Sequence, residues 1–204
     1  MLSDNIKVSI YLLLVGCFLR RIVIAEIQMI TYNEFLRLVV GPYYHQRFLL
    51  RTLRDGFFTA YNSNINPAMI NEFTSACFRF GHSTSQGSFT EIPSSGNPTS
   101  FKLQNNFFHP FGLYQGQTEL LVRGLADQLA QKSDNFVVED LTNYLFRKMD
   151  DSFGLDLMAI NVQRGRDHGI RPYVDYLRAI FNVRVTSFSN LRSLMPVTVV
   201  QKFE

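Results

Sequence analysis

The sequence predicts a mainly α-helical fold, on three observations. Apolar residues recur at three- and four-residue spacing along several stretches, period-two alternation is scarce, and proline or glycine stands where helices would start and stop. The chain has 204 residues, 46% apolar and 18% charged, which suits a packed core rather than disorder. It carries no internal repeat.

The elements follow in order. Val8 to Leu19 is almost wholly apolar. This run is shorter than the ~20 residues a membrane-spanning helix needs, and its length matches the apolar part of a signal peptide, with Lys7 just before it. Asp4 and the lack of a small-residue cleavage pattern before Arg20-Arg21 argue the other way. A signal or anchor, a buried helix, and a stretch foreign to the fold all stay open. From Arg21 to Val40, Ile22, Val23, Ile27, Ile30, Phe35, Leu38 and Val39 mark one helix face, and Gly41-Pro42 supplies a stop. Asn66-Pro67 reads as a cap and first turn, opening a helix through Ile70, Phe73, Cys77 and Phe80. Ser83 to Gln117 is rich in Ser, Gly, Pro and Asn and reads as a long loop, of the kind that is often mobile or functional. Helical spacing returns at Thr118–Gln131, Glu139–Lys148, Leu155–Arg164 and, after a break at Gly169, Pro172–Phe181.

Composition removes several function classes. The 20 Lys+Arg against 17 Asp+Glu give a net charge of only +3, with no basic stripe for nucleic acid. Two cysteines, Cys17 and Cys77, cannot form a disulfide scaffold or a four-cysteine zinc site. The histidines His45, His82, His109 and His168 form no His-x-x-x-His pair. Phosphate-loop and serine-nucleophile motifs do not occur, and Asn97-Pro98-Thr99 is not a usable glycosylation site.

What remains is a histidine at the end of an amphipathic helix. Arg79 and His82 are three residues apart and share a helix face; Asn161 and Arg164 repeat that spacing on another predicted helix. If the two faces meet, they present an imidazole, an amide and two guanidinium groups. A flat anionic ligand with a metal centre would use all four. Imidazole ligates iron through one nitrogen, an amide oxygen can hold its other N–H, and arginines bind carboxylates such as haem propionates. Local pattern equally allows a satisfied core or surface histidine, and a solvated Arg-Gly-Arg-Asp-His turn with Asp167 pairing an arginine.

At these residues the sequence resembles the animal haem peroxidase family, especially the chorion-peroxidase and peroxinectin type. Four segments carry the likeness: Arg21 to Leu36; Asn71-Glu72-Phe73 through Phe78-Arg79-Phe80-Gly81-His82-Ser83; Leu120-Leu121-Val122-Arg123-Gly124-Leu125; and Gly154-Leu155-Asp156-Leu157 through Asn161-Val162-Gln163-Arg164-Gly165-Arg166-Asp167-His168-Gly169, followed by Pro172-Tyr173. The resemblance implies that residues 20–204 are part of that family's helical fold, that His82 is the proximal ligand of haem iron, and that Asn161 is hydrogen-bonded to it. It places Arg79 and Arg164 near the propionates and gives His168 a structural role in the turn after its helix. It further implies hydrogen peroxide and a small reducing donor as reaction partners, and a secreted protein.

The departures are equally informative. The family's distal half supplies an acid–base histidine in a Gln-Asp-His stretch, a calcium loop, and a helix with a catalytic arginine and an ester-forming glutamate. None is matched here, so no distal catalytic residue is assigned, and His45 and His109 lie outside the motif. Residues 1–19 do not resemble the family, and the chain stops short of its usual C-terminal segment. The expectation is the proximal portion of a larger domain, weak or inactive alone. A truncated haem-binding or adhesion-type interaction protein is the alternative, and the intact His82, Arg79, Asn161 and Arg164 set favours both of these readings over a helical domain without haem.

Overall fold

The first helix runs farther than its apolar pattern. In the computed structural model, which describes residues 4–50, 52–148 and 150–204 (side chains from Val15 onward), α1 spans Asp4–Ile30. It takes in both the apolar run and the start of the Arg21 stripe. Phe18 and Leu19 are exposed, while the side chains of residues 8–14 lie outside the described ones. Among the described residues, no helix is long and apolar enough to cross a membrane.

Gly41-Pro42 is a kink rather than the expected stop. The chain passes through a wide π turn at Thr31–Phe35 and continues as α2, Leu36–Arg47. Gly41 leaves helical space at φ 77° and ψ 160°. Pro42 then serves as a first helical position, where its missing N–H costs nothing. The π turn is held from two sides. His45 Nε2 donates to the Tyr32 carbonyl at 2.8 Å, and Asn33 Oδ1 accepts from the Thr52 hydroxyl at 3.0 Å. The chain divides into two compact units, Met1–Asn66 and Pro67–Glu204.

In the second unit the helix expected from Pro67 starts late. Residues 66–70 are not helical, Ile70 is extended, α3 covers only Asn71–Ser75, and a 3-10 helix follows at Cys77–Thr84. The expected loop from Ser83 to Gln117 contains a hairpin, β1 Ser88–Glu91 pairing antiparallel with β2 Thr99–Lys102, with Phe89 stacked on Phe101. The hairpin lies against α4, Thr118–Asp127. Gln128 fastens it at β1, its amide oxygen accepting from Thr90 N at 3.1 Å and its amide nitrogen donating to Ser88 O at 2.8 Å. Gly124 allows the close approach, since a Cβ there would overlap the Thr90 carbonyl.

Helix α5 is one turn, Glu139–Thr142, not the predicted ten residues. Beyond it the backbone pairs across to a later strand-like segment: Leu145 bridges Leu155, and Gly154 N donates to Asn143 O at 2.7 Å. Helix α6, Leu157–Asp167, matches the expected element closely, and α7, Tyr173–Phe181, starts after Pro172 as predicted. The C-terminal end closes with a 3-10 turn at Phe188–Ser193 and α8, Val197–Val200. Leu177, Leu191 and Val200 form a buried cluster there, packed by Val174, Val185 and Met195.

The start of α6 is set by Asp156, whose carboxylate accepts from Met158 N at 2.8 Å and Ala159 N at 3.2 Å. Removing this cap by Asp156→Ala should cost about 1 kcal/mol, or roughly 2–4 °C in Tm by thermal circular dichroism. The end of α6 is a Schellman turn: Gly169, at φ 63°, donates to Arg166 O, and Ile170 N donates to Gly165 O at 2.9 Å.

Candidate functional site

His82 sits near the end of the 3-10 helix Cys77–Thr84 rather than on an α-helix. With three residues per turn, positions i and i+3 eclipse, so Arg79 and His82 stand one above the other. The segment is tied down on both sides of His82. Thr84 Oγ1 donates to Gly81 O at 2.7 Å, buried Ser83 donates to Phe80 O, and Ser83 Oγ in turn accepts from Asp134 N at 3.2 Å. Gln131 N donates to Thr84 O at 3.0 Å. An imidazole on such a base has little freedom to shift along the chain.

The facing groups come from α6. Asn161 and Arg164, one turn apart, both reach His82, and Arg164 Nη1 donates to Asn161 Oδ1 at 2.7 Å. That bond fixes the amide's orientation, with its oxygen as acceptor. Asn161 also interacts with His82, in the sense that favours the protonated ring. Arg79 Nη2 donates to Thr74 O at 2.6 Å, which anchors its guanidinium on the preceding turn. The structure therefore brings together all four residues predicted from spacing. Asp167, the partner offered for an arginine in the solvated-turn alternative, instead accepts from Gln163 Nε2 at 2.9 Å.

The electrostatics are one-sided. Burial pushes the His82 pKa below its ordinary 6.5, the Arg79 and Arg164 charges push it further, and the Asn161 bond opposes them in part. Unfolded, His82 takes up a proton near pH 6.5; folded, it does so only at lower pH. Acidification below 6.5 therefore favours the unfolded chain through this group, and the effect vanishes above 6.5. Thermal melts of the haem-free chain between pH 8 and pH 5.5 should show a larger loss of Tm in wild type than in His82→Gln.

Five buried side-chain nitrogen or oxygen atoms among the described residues have no hydrogen-bond partner, and three belong to this cluster: Arg79 Nε, His82 Nε2 and Asn161 Nδ2. Buried polar atoms are normally paired, because leaving one bare costs about 1–3 kcal/mol. A buried imidazole nitrogen without a hydrogen-bond partner, beside spare guanidinium donors, fits a group that joins a Lewis-acidic metal to anionic carboxylates. Haem answers that description.

The other histidines lie elsewhere. His45 serves the π turn, and His109 stacks edge-on against Phe111 beside a cavity of about 590 Å³ between the hairpin and the 106–117 segment. That cavity includes none of the four clustered residues. No group of three or more His, Cys, Asp or Glu residues converges among the described residues. Sequence reasoning missed the contact of His168 with Asn71 and Ser75: ring Nδ1 lies 2.8 Å from Asn71 Oδ1 and 3.1 Å from Ser75 Oγ. The partners are 93 and 97 residues away, a separation that no local spacing signals.

Comparison with known proteins gives a consistent result. A family profile described as animal haem peroxidase matches residues 19–204. The chain is 40% identical over 185 residues to a chorion peroxidase of Drosophila melanogaster, covering 90% of this chain and 22% of that one. It is 36% identical over 177 residues to peroxinectin A of Dictyostelium discoideum, covering 85% of this chain and 30% of the relative. Among solved structures it superposes on peroxidase A of Dictyostelium discoideum with a TM-score of 0.66 at 33% identity, covering 87% of this chain and 32% of that one. The chain thus spans between a fifth and a third of the length of these proteins.

Proposed function

This chain belongs to the animal haem peroxidase family, and from that premise we propose that it carries the proximal half of a haem site. His82 is the iron ligand through Nε2. Asn161 accepts the other ring N–H and fixes the tautomer. Arg79 and Arg164 offer their free N–H groups to the propionates. Residues 20–204 form part of the peroxidase domain, and the 1–19 stretch stands outside it. Secretion belongs to the same reading.

The observation that carries this reading is the buried, partnerless Nε2 of His82, flanked by two guanidinium groups and an amide. Haem, when bound, supplies the redox chemistry that reduces hydrogen peroxide and oxidises a small donor. The chain's own residues do the rest of the work on this side. Burial and the two arginines keep the imidazole unprotonated, which is the form that can donate to a metal. The 3-10 segment holds it still, and Asn161 steadies it from behind. Peroxide cleavage also requires an acid–base group and a positive donor on the opposite side, and no residue of this chain is assigned to either role.

Apolar exposure favours a larger peroxidase over a self-contained haem-binding module. Ile27 and Leu38, on the helical stripe matched to the family, are 58% and 84% exposed, and α2 has no buried residue. A titration of the purified chain with ferric haem tests the proposal. A saturable shift of the Soret band is expected; a spectrum that stays that of free haem overturns it.

A further inference from the structure

We propose that His168 is a positioning residue for the proximal pair: with Asn71 and Ser75 it clasps the end of α6 to α3 and so sets the separation at which Asn161 meets His82. The inference rests on the reading of His82 as iron ligand.

The clasp is a closed set of hydrogen bonds. Asn71 Nδ2 donates to the His168 backbone carbonyl at 3.0 Å, which fixes the amide and turns its oxygen toward the ring. His168 Nδ1 lies 2.8 Å from that oxygen. An amide oxygen only accepts, so Nδ1 carries the proton. The Ser75 hydroxyl donates to the same oxygen at 3.0 Å, and its own oxygen stands 3.1 Å from Nδ1. Ser75 is only 2% exposed, so the clasp is anchored where α3 is most deeply covered.

Its placement gives it leverage. Asn161 and His168 are seven residues apart, two helical turns, so they leave the same face of α6 about 10 Å apart along the axis. Ser75 precedes His82 by the same number of residues. One face of α6 thereby meets the 71–84 stretch at two points, Asn161 near His82 on the 3-10 helix and His168 on Asn71 and Ser75 of α3. Loosening the second point lets α6 pivot and lengthens the first. A ring whose rear N–H is held less firmly donates less strongly to a metal.

The experiment compares wild type, His168→Phe and His168→Asn, each loaded with haem. The Asn amide nitrogen takes the place of Nδ1–H and preserves the donor; Phe keeps the ring and removes it. Haem affinity is read from the Soret titration, the rear hydrogen bond from the iron–histidine stretching band of the dithionite-reduced sample by resonance Raman, and folding from circular dichroism. His168→Phe is expected to keep its helical signal, bind haem about 10-fold more weakly and shift the band to lower frequency, with His168→Asn returning both toward wild type. A folded Phe variant with the wild-type band and affinity overturns the proposal. If the Phe variant does not fold, His168→Asn decides: a wild-type band supports the clasp, and a folded Asn variant with a lowered band overturns it. Failure of the underlying reading looks different, because the wild-type chain then shows no iron–histidine band, or shows one that His82→Ala leaves in place.

Discussion

Replacing His82 by alanine is expected to abolish the Soret shift that wild type develops on titration with ferric haem. The loss should exceed the roughly 100-fold that removal of a supporting hydrogen bond behind a metal ligand costs, because the donor atom itself is gone. The other histidines are engaged away from the cluster with Asn161 and the two arginines: His45 Nε2 on the Tyr32 carbonyl, His168 Nδ1 on Asn71, and His109 edge-on against Phe111. His45→Ala and His109→Ala therefore serve as controls that keep the shift. Added imidazole should restore part of it in His82→Ala, since the vacated space admits a free ligand. Folding is not the confounding variable. In the haem-free chain His82 Nε2 is buried without a hydrogen-bond partner, so its removal leaves no new unpaired group on the ring side, and circular dichroism of both chains checks folding. An alanine variant that binds haem like wild type would remove His82 from the site.

That site was legible in the sequence to the extent that it depends on local spacing. The i, i+3 pairs Arg79/His82 and Asn161/Arg164 keep their shared faces in the folded chain. For the second pair the helix itself was legible, because its boundaries are written locally in Asp156 as cap and Gly169 as left-handed terminus. The first pair keeps its alignment although its helix starts later than the local signal. Asn66-Pro67 looks like a helix start, yet helix begins only at Asn71, whose side chain is committed to His168 rather than to a local cap. Arg79 and His82 remain aligned because a 3-10 turn eclipses the same spacing that an α-turn brings to one face.

The remaining misses share a cause, which is that a partner distant in sequence outbids local preference. Glu139–Lys148 has helical spacing, but beyond Thr142 the backbone bonds to the 154–155 segment instead. Gly154 permits this, since a Cβ there would meet the Tyr144 and Leu145 backbone. The hairpin strands are four residues each, too short for a period-two signal, and are fastened to α4 by Gln128, some 40 residues away. Gly124 within α4 reads as a helix weakness of about 1 kcal/mol until the Thr90 carbonyl is seen resting on it.

Asn161→Ala is expected to weaken haem binding by roughly 10–100-fold while leaving the ligand in place. Two contacts go at once: the amide's interaction with His82, in the proposed reading the acceptor for its ring proton, and the Oδ1 that takes the Arg164 N–H at 2.7 Å. Without the first, the imidazole has no preferred tautomer and its donor nitrogen is presented only part of the time. Without the second, Arg164 loses the bond that orients its guanidinium and approaches His82 with its charge less well placed. Asn161→Asp separates these effects. A carboxylate keeps an acceptor in the same position, so binding should stay near wild type. Its negative charge between His82 and two arginines should draw the ring proton more strongly and make the imidazole a better electron donor. A spectroelectrochemical titration should then find a lower iron reduction potential in Asn161→Asp than in wild type, and Asn161→Ala should move affinity instead. If alanine leaves affinity unchanged and aspartate leaves the potential unchanged, the amide has no part in holding the ligand, and α6 contributes only Arg164 to this face.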